Sequence, residues 1–525
     1  MFHSAYPDVE IPNVSIYDYL FADLDEQTLD RVAIVDGTSG AETTYRQLVG
    51  QIGLFAGALA ARGIGVGDAV AVLCPNVPAF ATVFHGILRA GATATTINSL
   101  YTADEIVNQM QDAEASWLVT VSPLLPHAQA AAERLGLPAD HLLVLDGAEG
   151  HPSLRDLLGE GHPAPDVTFD PATHLAVLPY SSGTTGRPKG VMLTHRNLIA
   201  NVAQVIPTTD IGPEDRLLAV LPFFHIYGMT VLLNFALRRR AGLVTMPKFD
   251  LLEFLRIIQE HRTTWVFIAP PIAVALAKHP VVDQYDLSAI KVIFSGAAPL
   301  DGALAAAVAK RLDCEVVQGY GMTETSPAVN IIPAGVDGID KSSIGPLIPN
   351  TEARLVDPDT GADVEAPASG TSVPGELWVR GPQVMVGYLK RPEATAEMLD
   401  ADGWLHTGDM ATVTSDGIFR IVDRLKELIK YKGYQVSPAI LEAVLLEHPQ
   451  IADAAVIGAN DADGQEVPKA FVVPQASAEL SADDVMEFVA SRVAPHEKVR
   501  IVEFIDVIPK SSSGKILRKD LRVRA

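Results

Sequence analysis

Ser181-Ser-Gly-Thr-Thr-Gly-Arg-Pro-Lys-Gly190 gathers three glycines, four hydroxyl side chains and two cations into ten consecutive positions. The apolar run His174-Leu-Ala-Val-Leu-Pro179 leads into it and Val191-Met-Leu193 leads out, so it reads as a turn at the end of a buried strand. Glycines let the backbone approach an anion closely, and successive N–H groups in such a turn form a cradle. Ser181, Ser182, Thr184 and Thr185 add donors; Arg187 and Lys189 add charge. The pattern is a phosphate grip, but not a Walker A loop. Five residues after Gly183 stands Pro188, and Gly190 follows Lys189 where that motif needs a hydroxyl. Judged alone, the segment leaves a purely structural loop open.

On either side of the loop, strand-like and helix-like patterns alternate. Gln47 to Arg62 has apolar residues at helical spacing and ends at Gly63. Ala69-Val-Ala-Val-Leu-Cys74 is a short continuous apolar run of the buried-strand type, and Trp117-Leu-Val-Thr-Val, Leu142-Leu-Val-Leu, Trp265-Val-Phe-Ile and Val292-Ile-Phe repeat it. Leu251 to His261 and Gly302 to Leu312 are helical candidates. Such alternation implies βαβ units and an α/β fold with mainly parallel sheets. After Pro346 the strands become short and partly alternating, with a hairpin turn at Asp416-Gly417, which predicts an antiparallel β subdomain over 345–424. Asp423-Arg-Leu-Lys-Glu-Leu-Ile-Lys430 is a charged junction, and a compact α+β unit follows, with helix starts at Ser437-Pro438 and Ser481-Ala-Asp-Asp484. The expected domains are 1–424 and 425–525.

A chain of 525 residues exceeds what one core serves, and 48% apolar with 20% charged residues is ordinary for a globular protein. A net charge of -24 argues against nucleic acid and anionic membranes as partners. With no long apolar stretch, neither a membrane span nor a secretory signal is expected, and cytoplasm is the expected compartment. Cys74 and Cys314 stand far apart, so cysteine-rich metal sites are not expected. The oligomeric state cannot be read.

Tyr180 to His195, YSSGTTGRPKGVMLTH, resembles the signature of the adenylate-forming superfamily of acyl-CoA synthetases, nonribosomal adenylation domains and firefly luciferases. Gln318-Gly-Tyr-Gly-Met-Thr-Glu324, Thr407-Gly-Asp409, Asp423-Arg-Leu-Lys426 and Lys510-Ser-Ser-Ser-Gly-Lys515 follow in that superfamily's order, so the resemblance covers nearly the whole chain. Within it, Leu221-Pro-Phe-Phe-His-Ile-Tyr-Gly228, Ser295-Gly-Ala-Ala-Pro-Leu300 and Lys426 to Gln435 most resemble 4-coumarate:CoA ligases.

The resemblance implies an acid–thiol ligase using ATP, Mg²⁺ and coenzyme A. A carboxylate attacks the α-phosphate of ATP, giving acyl-AMP and pyrophosphate; a thiol then displaces AMP. It also implies a small mobile C-terminal domain that turns about Lys426 between the two half-reactions. The loop of Ser181, Ser182, Gly183, Thr184, Thr185, Gly186 and Lys189 would hold the β- and γ-phosphates. Thr323 would bond the α-phosphate and Glu324 would hold Mg²⁺. Ala298, Pro299, Gln318, Gly319 and Tyr320 would cradle adenine; Asp409 would accept the ribose hydroxyls and Arg424 would support the same nucleotide. Lys515 would bridge the carboxylate and α-phosphate during adenylation. For the second half-reaction, Lys430 and Gln435 would contact the adenylate, with Lys432 and Gly433 flanking the pantetheine tunnel. His225 would gate the acyl carboxylate, with no proton transfer assigned to it.

By the same resemblance the acid would lie among Tyr227, Val231, Phe294, Ala297, Gly319, Gly321, Pro327, Ala328 and Val329, a slot suited to a planar ring. The plant ligases usually carry methionine near Phe294, glycine near Ser326 and bulkier residues near Ala328 and Val329. The expected acids are 4-coumarate and related hydroxycinnamates, with medium-chain fatty or other aryl acids as the alternative. An adenylation domain serving a carrier protein is disfavoured because no carrier sequence is attached. A non-catalytic protein that senses nucleotide or acyl-AMP is disfavoured by the presence of Lys515, Glu324 and Lys432.

Overall fold

The computed structural model describes residues 1–181, 188–431, 434–461, 465–475, 478–511 and 514–524, the side chains of Tyr434 and Gln435 excepted. Ser182, Gly183, Thr184, Thr185, Gly186, Lys432, Gly433 and the Gln435 side chain therefore lie outside the described residues.

Two eight-stranded sheets dominate the N-terminal part. The first runs through Lys189–Thr194, Leu175–Val177, Thr93–Thr96, Ala69–Leu73, Trp117–Thr120 and Leu142–Val144. The second runs through Ala328–Ile331, Glu315–Gly321, Val292–Ser295, Trp265–Ile268, Arg216–Ala219, Gly242–Thr245 and Val32–Asp36 to Glu42–Thr44. The inner pairings are parallel, as the continuous apolar runs require: Ala69–Leu73 is buried at every position because helices cover both faces. Antiparallel strands appear only toward the margins, among them the pairing of Glu315–Gly321 with Ala328–Ile331 that builds the site.

The helices form where periodicity and caps agree. Leu251–His261 starts on Asp250, whose side chain accepts from the Glu253 N–H, buries Phe254, Leu255, Ile257 and Ile258, and stops at Arg262 in the left-handed region. Gly302–Leu312 starts likewise on Asp301 and stops at Asp313. Among the described residues no helix is long and apolar enough to cross a membrane.

A five-stranded antiparallel sheet joins Glu352–Val356, Gly375–Arg380, Leu405–Val413 and Phe419–Arg424 with Phe2–His3 from the start of the chain. That two-residue strand is too short to carry a period. Gly387–Tyr388 leaves this sheet and pairs with the strand after the phosphate loop, Tyr388 opposite Val191. Beyond Arg424 the chain forms a hairpin, Ile429–Tyr431 with Tyr434–Val436, and a three-stranded sheet backed by Pro438–Leu446 and Ala482–Ala490. This unit has its own apolar cluster around Leu441, Val456, Val472 and Val485. It is tied to the rest at defined points. Asp423 Oδ2 accepts from the Ser437 hydroxyl at 2.6 Å and the Ala439 N–H at 3.1 Å, and Lys278 Nζ donates to the Leu446 carbonyl at 3.1 Å.

Candidate active site

The strands flanking the phosphate-loop segment pair antiparallel, Ser181 opposite Lys189 and Tyr180 opposite Gly190. The Ser181 hydroxyl is buried without a hydrogen-bond partner among the described residues, a donor at the base of the loop. Lys189 Nζ stands 4.2 Å from the centre of the Tyr388 ring. The Tyr388 hydroxyl in turn donates to Glu324 Oε1 at 2.7 Å. A cation, a phenol and a buried carboxylate thus line one edge of the site.

Glu324 belongs to a single 3₁₀ turn, Thr323–Thr325, at the end of the strand Glu315–Gly321. The half-buried Thr323 leads that turn. Upstream, the Gln318 amide is fully engaged: its Nε2 donates to the Leu300 and Lys341 carbonyls at 3.1 and 2.7 Å, and its Oε1 accepts from the Leu300 N–H at 3.1 Å. Its side chain is therefore not free to face adenine. It holds the loop carrying Ala297, Ala298 and Pro299. Ala297 sits at φ +70°, a left-handed conformation disfavoured by about 1–2 kcal/mol for a residue with a Cβ, so a surrounding framework must hold it.

Asp409 is buried on the strand Leu405–Val413, directly across from Arg424 on the next strand. Arg424 Nε lies 3.2 Å from Asp409 Oδ1, and the Tyr320 hydroxyl donates to Oδ2 at 2.6 Å. A carboxylate has about four lone-pair positions, so Asp409 retains capacity for further donors. Burial and the Asp409 charge push the Tyr320 phenol well above its ordinary pKa, so it remains a donor.

Lys515 arrives at this point from the C-terminal domain. Its turn abuts the N-terminal part: a Cβ at Gly514, where φ is +84°, would lie 3.1 Å from the Ala269 Cβ and 3.5 Å from the Pro271 ring. The ammonium is close enough to Arg424, Asp409, Glu324 and Glu427 to feel each charge. Burial, reinforced by Arg424, lowers its pKa to about 8 against the opposing pull of the carboxylates. His225 lies near enough to Lys515 for the ammonium to disfavour an imidazolium, and burial holds its pKa down to about 4. It is therefore neutral at physiological pH. Its Nδ1 accepts from the Tyr227 N–H at 3.3 Å, which assigns the hydrogen to Nε2.

His225 also opens onto an apolar slot. Tyr227, Val231, Phe294, Ala297, Gly319, Gly321, Pro327 and Ala328 line it, joined by Val205, Thr209, Phe267 and Ile331. Val329 is not in this wall. Ala328 faces the slot, the next side chain on a strand points the other way, and Val329 is fully buried among Leu347, Leu355 and Leu377 of the antiparallel sheet's core. The slot's narrowness rests on its glycines. A Cβ on Gly296 would come within 2.7 Å of the Tyr227 ring, and one on Gly319 within 2.8 Å of both Phe294 Cζ and the Asn330 carbonyl. Gly319→Ala is therefore expected to raise KM for the acid by roughly 10-fold or more while changing KM for ATP much less, measured by steady-state kinetics. Equal changes in the two constants would show that Gly319 does not shape the acid's slot.

The AMP-binding enzyme family matches residues 21–389, and its C-terminal domain matches residues 441–515. The chain belongs to this family. It is an adenylate-forming enzyme, and its named relatives are acid–thiol ligases. It is 41% identical to 4-coumarate–CoA ligase 3 of Oryza sativa subsp. japonica, over 100% of this chain and 95% of that one. Among solved structures, ATP-bound MatB from Rhodopseudomonas palustris superposes with a TM-score of 0.87 at 30% identity, covering 98% of this chain and 99% of that one. The anthranilate CoA ligase AuaEII, in complex with anthranoyl-AMP, superposes with a TM-score of 0.89 at 26% identity, covering 98% of each chain.

In this adenylate-forming enzyme Lys515 joins Asp409, Arg424, Glu324 and His225, whereas Lys430 does not. Lys430 is exposed on the hairpin, where its N–H donates to Glu466 Oε2 at 2.9 Å. Lys426 is exposed at the junction. Tyr388 went unanticipated because a two-residue strand, Gly387–Tyr388, is too short to carry a period. Among the described residues no group of three or more His, Cys, Asp or Glu side chains could hold a metal. Glu324 does fit Mg²⁺, which takes one or two carboxylates and completes its octahedron with substrate phosphates and water.

Proposed function

We propose that this enzyme is an ATP-dependent carboxylate:CoA ligase acting on 4-coumarate and related hydroxycinnamates. The observation that carries the reading is the delivery of Lys515, from the C-terminal domain, to the mouth of an apolar slot beside Asp409, Arg424 and Glu324. In the first half-reaction a carboxylate oxygen attacks the α-phosphorus of ATP, and the bond to the β-phosphate oxygen breaks to release pyrophosphate. Charge gathers on phosphate oxygens, so positioned cations supply most of the catalysis. Lys515 would bridge the carboxylate and the α-phosphate, and Lys189 with the Ser181–Gly190 loop would hold the departing end. Thr323 would bond the α-phosphate. Asp409 and Arg424 would orient the ribose, and Tyr320 with the Ala298–Pro299 loop the adenine. Glu324 would hold Mg²⁺, which when bound neutralises phosphate charge.

In the second half-reaction the sulfur of CoA attacks the acyl carbon, the bond to AMP breaks, and the thiol proton passes to solvent. Lys515 has no part in that step. The hairpin bearing Lys430, Lys432, Gly433 and Gln435 would replace it after rotation at Lys426, at the boundary between 1–424 and 425–525. Neutral His225 would shield the reacting carboxyl from water without moving a proton. Cytoplasm remains the expected compartment.

The choice of acid rests on a slot walled by Gly296, Gly319 and Gly321 against Tyr227 and Phe294. The curated relatives named 4-coumarate–CoA ligases and the structural neighbour named an anthranilate CoA ligase both support a flat aromatic acid. The test is CoA- and ATP-dependent thioester formation across hydroxycinnamates, benzoates and C6–C12 fatty acids. Hydroxycinnamates should lead by about 10-fold or more in kcat/KM. Hydroxycinnamates near background beside rapid fatty-acid turnover would overturn the substrate while sparing the mechanism.

A further inference from the structure

The turn that carries Lys515 is held at both ends by ion pairs that none of the proposed roles uses. Three residues after Lys515, the Arg518 guanidinium donates from one Nη2 to both oxygens of Glu442 at 2.7 Å, and from Nε to the Val456 carbonyl at 3.2 Å. Glu442 Oε1 also accepts the Val456 N–H at 2.8 Å. Arg518 and Glu442 are only 13% and 12% exposed in their side chains, so the pair is little screened by solvent. At the other end Lys510 Nζ reaches Asp453 Oδ2 at 2.5 Å, and Lys510 bridges to Ile516 across the turn. Within the turn, the Ser511 N–H donates to the Lys515 carbonyl at 2.8 Å and the Lys515 N–H to the Ser511 hydroxyl at 3.1 Å.

Glu442 is on the helix Pro438–Leu446, and Val456 and Asp453 are on the strand Ile451–Asn460. These are the central elements of the C-terminal core. The clamp therefore ties the Lys515 turn to the rigid part of its own domain, and its hydrogen bonds run to Glu442 and Val456 and not to Asp409, Arg424 or Glu324. We propose that Arg518, gripped by Glu442, is a positioning residue for adenylation: it fixes where the Lys515 ammonium stands relative to Asp409, Arg424 and Glu324. A lysine at 518 would keep the charge but lose the planar fork that engages two carboxylate oxygens and a carbonyl at once. A displacement of about 1 Å at a reacting cation costs on the order of 100-fold in rate. The hairpin bearing Lys430 packs on the same core through Ile429 and Val436, but the Lys430 N–H is held by Glu466 and not by this clamp, so the thioester half-reaction is expected not to depend on it.

This inference rests on the proposed two-step reaction, and its test separates the two. Arg518→Lys and Glu442→Gln are each measured in two assays beside the unsubstituted enzyme and Lys515→Ala. One is ATP–pyrophosphate exchange with 4-coumarate, or with whichever panel acid the unsubstituted enzyme prefers. The other is thioester formation from CoA and the corresponding synthetic acyl-AMP. The expected result is a fall of about 30- to 100-fold in kcat for exchange, with less than 3-fold change in KM for ATP and in the thioester assay. Equal losses in both assays would show that the pair merely supports the fold of the domain and would overturn the proposal. Unchanged exchange in both variants would overturn it too. Failure of the unsubstituted enzyme in both assays would instead remove the two-step reading and the clamp with it.

Discussion

Lys515→Ala is expected to lower acyl-AMP formation by about 10²- to 10³-fold, the usual loss when one positioned donor to a charged transition state is removed. Thioester formation from supplied acyl-AMP and CoA should remain within about 3-fold of the unsubstituted enzyme. The split follows from where the residue stands. Its turn packs against Ala269 and Pro271 of the N-terminal part, and its ammonium is surrounded by Arg424, Asp409 and Glu324. Single-turnover measurement of the two half-reactions checks it. Equal loss in both would refute the division of labour between Lys515 and the Lys430 hairpin.

The second large effect concerns the charge that holds Lys515. With its pKa lowered to about 8, the free enzyme loses the lysine's proton as pH rises through that value. Adenylation needs the ammonium, so kcat/KM for ATP should fall tenfold per unit above about pH 8, because that parameter reports the free enzyme. Asp409 raises this pKa, so removing its charge moves the limb to lower pH. Asp409→Asn is therefore expected to shift the alkaline limb down by a measurable fraction of a unit and to raise KM for ATP by about 10- to 100-fold through the lost ribose contacts. The Arg424 guanidinium, no longer paired with Asp409, then opposes Lys515 against only the pull of Glu324 and Glu427. A pH profile of pyrophosphate exchange for both enzymes is the measurement. An unmoved limb would detach Lys515 from the Asp409–Arg424 pair.

Much of the framework was legible before any coordinates. Leu251–His261 and Gly302–Leu312 were read as helices with the bounds the structure gives, where Asp250 and Asp301 cap them. The buried strands were equally clear, since parallel sheets covered on both faces are written as unbroken apolar runs. The candidate site was indicated by motifs that placed Glu324, Asp409 and Lys515 far apart in sequence, and the fold brings these three near one another. What escaped depended on tertiary context. Val329 was assigned to the slot, but the register between Glu315–Gly321 and Ala328–Ile331 shifts at Tyr320/Gly321, and alternation turns Val329 into the other core. Gln318 carries a family-like motif, yet two backbone segments consume its amide. Val205 and Thr209 come from a helix end with no local signal for a pocket, and Phe2–His3 is too short to show a period.

Carboxylate-dependent exchange of labelled pyrophosphate into ATP, measured without CoA, tests the central claim most directly. The account predicts exchange that requires an aromatic acid, appears with the intact chain and is nearly abolished by Lys515→Ala. Acid-dependent release of inorganic phosphate and ADP, with no pyrophosphate exchange, would contradict it.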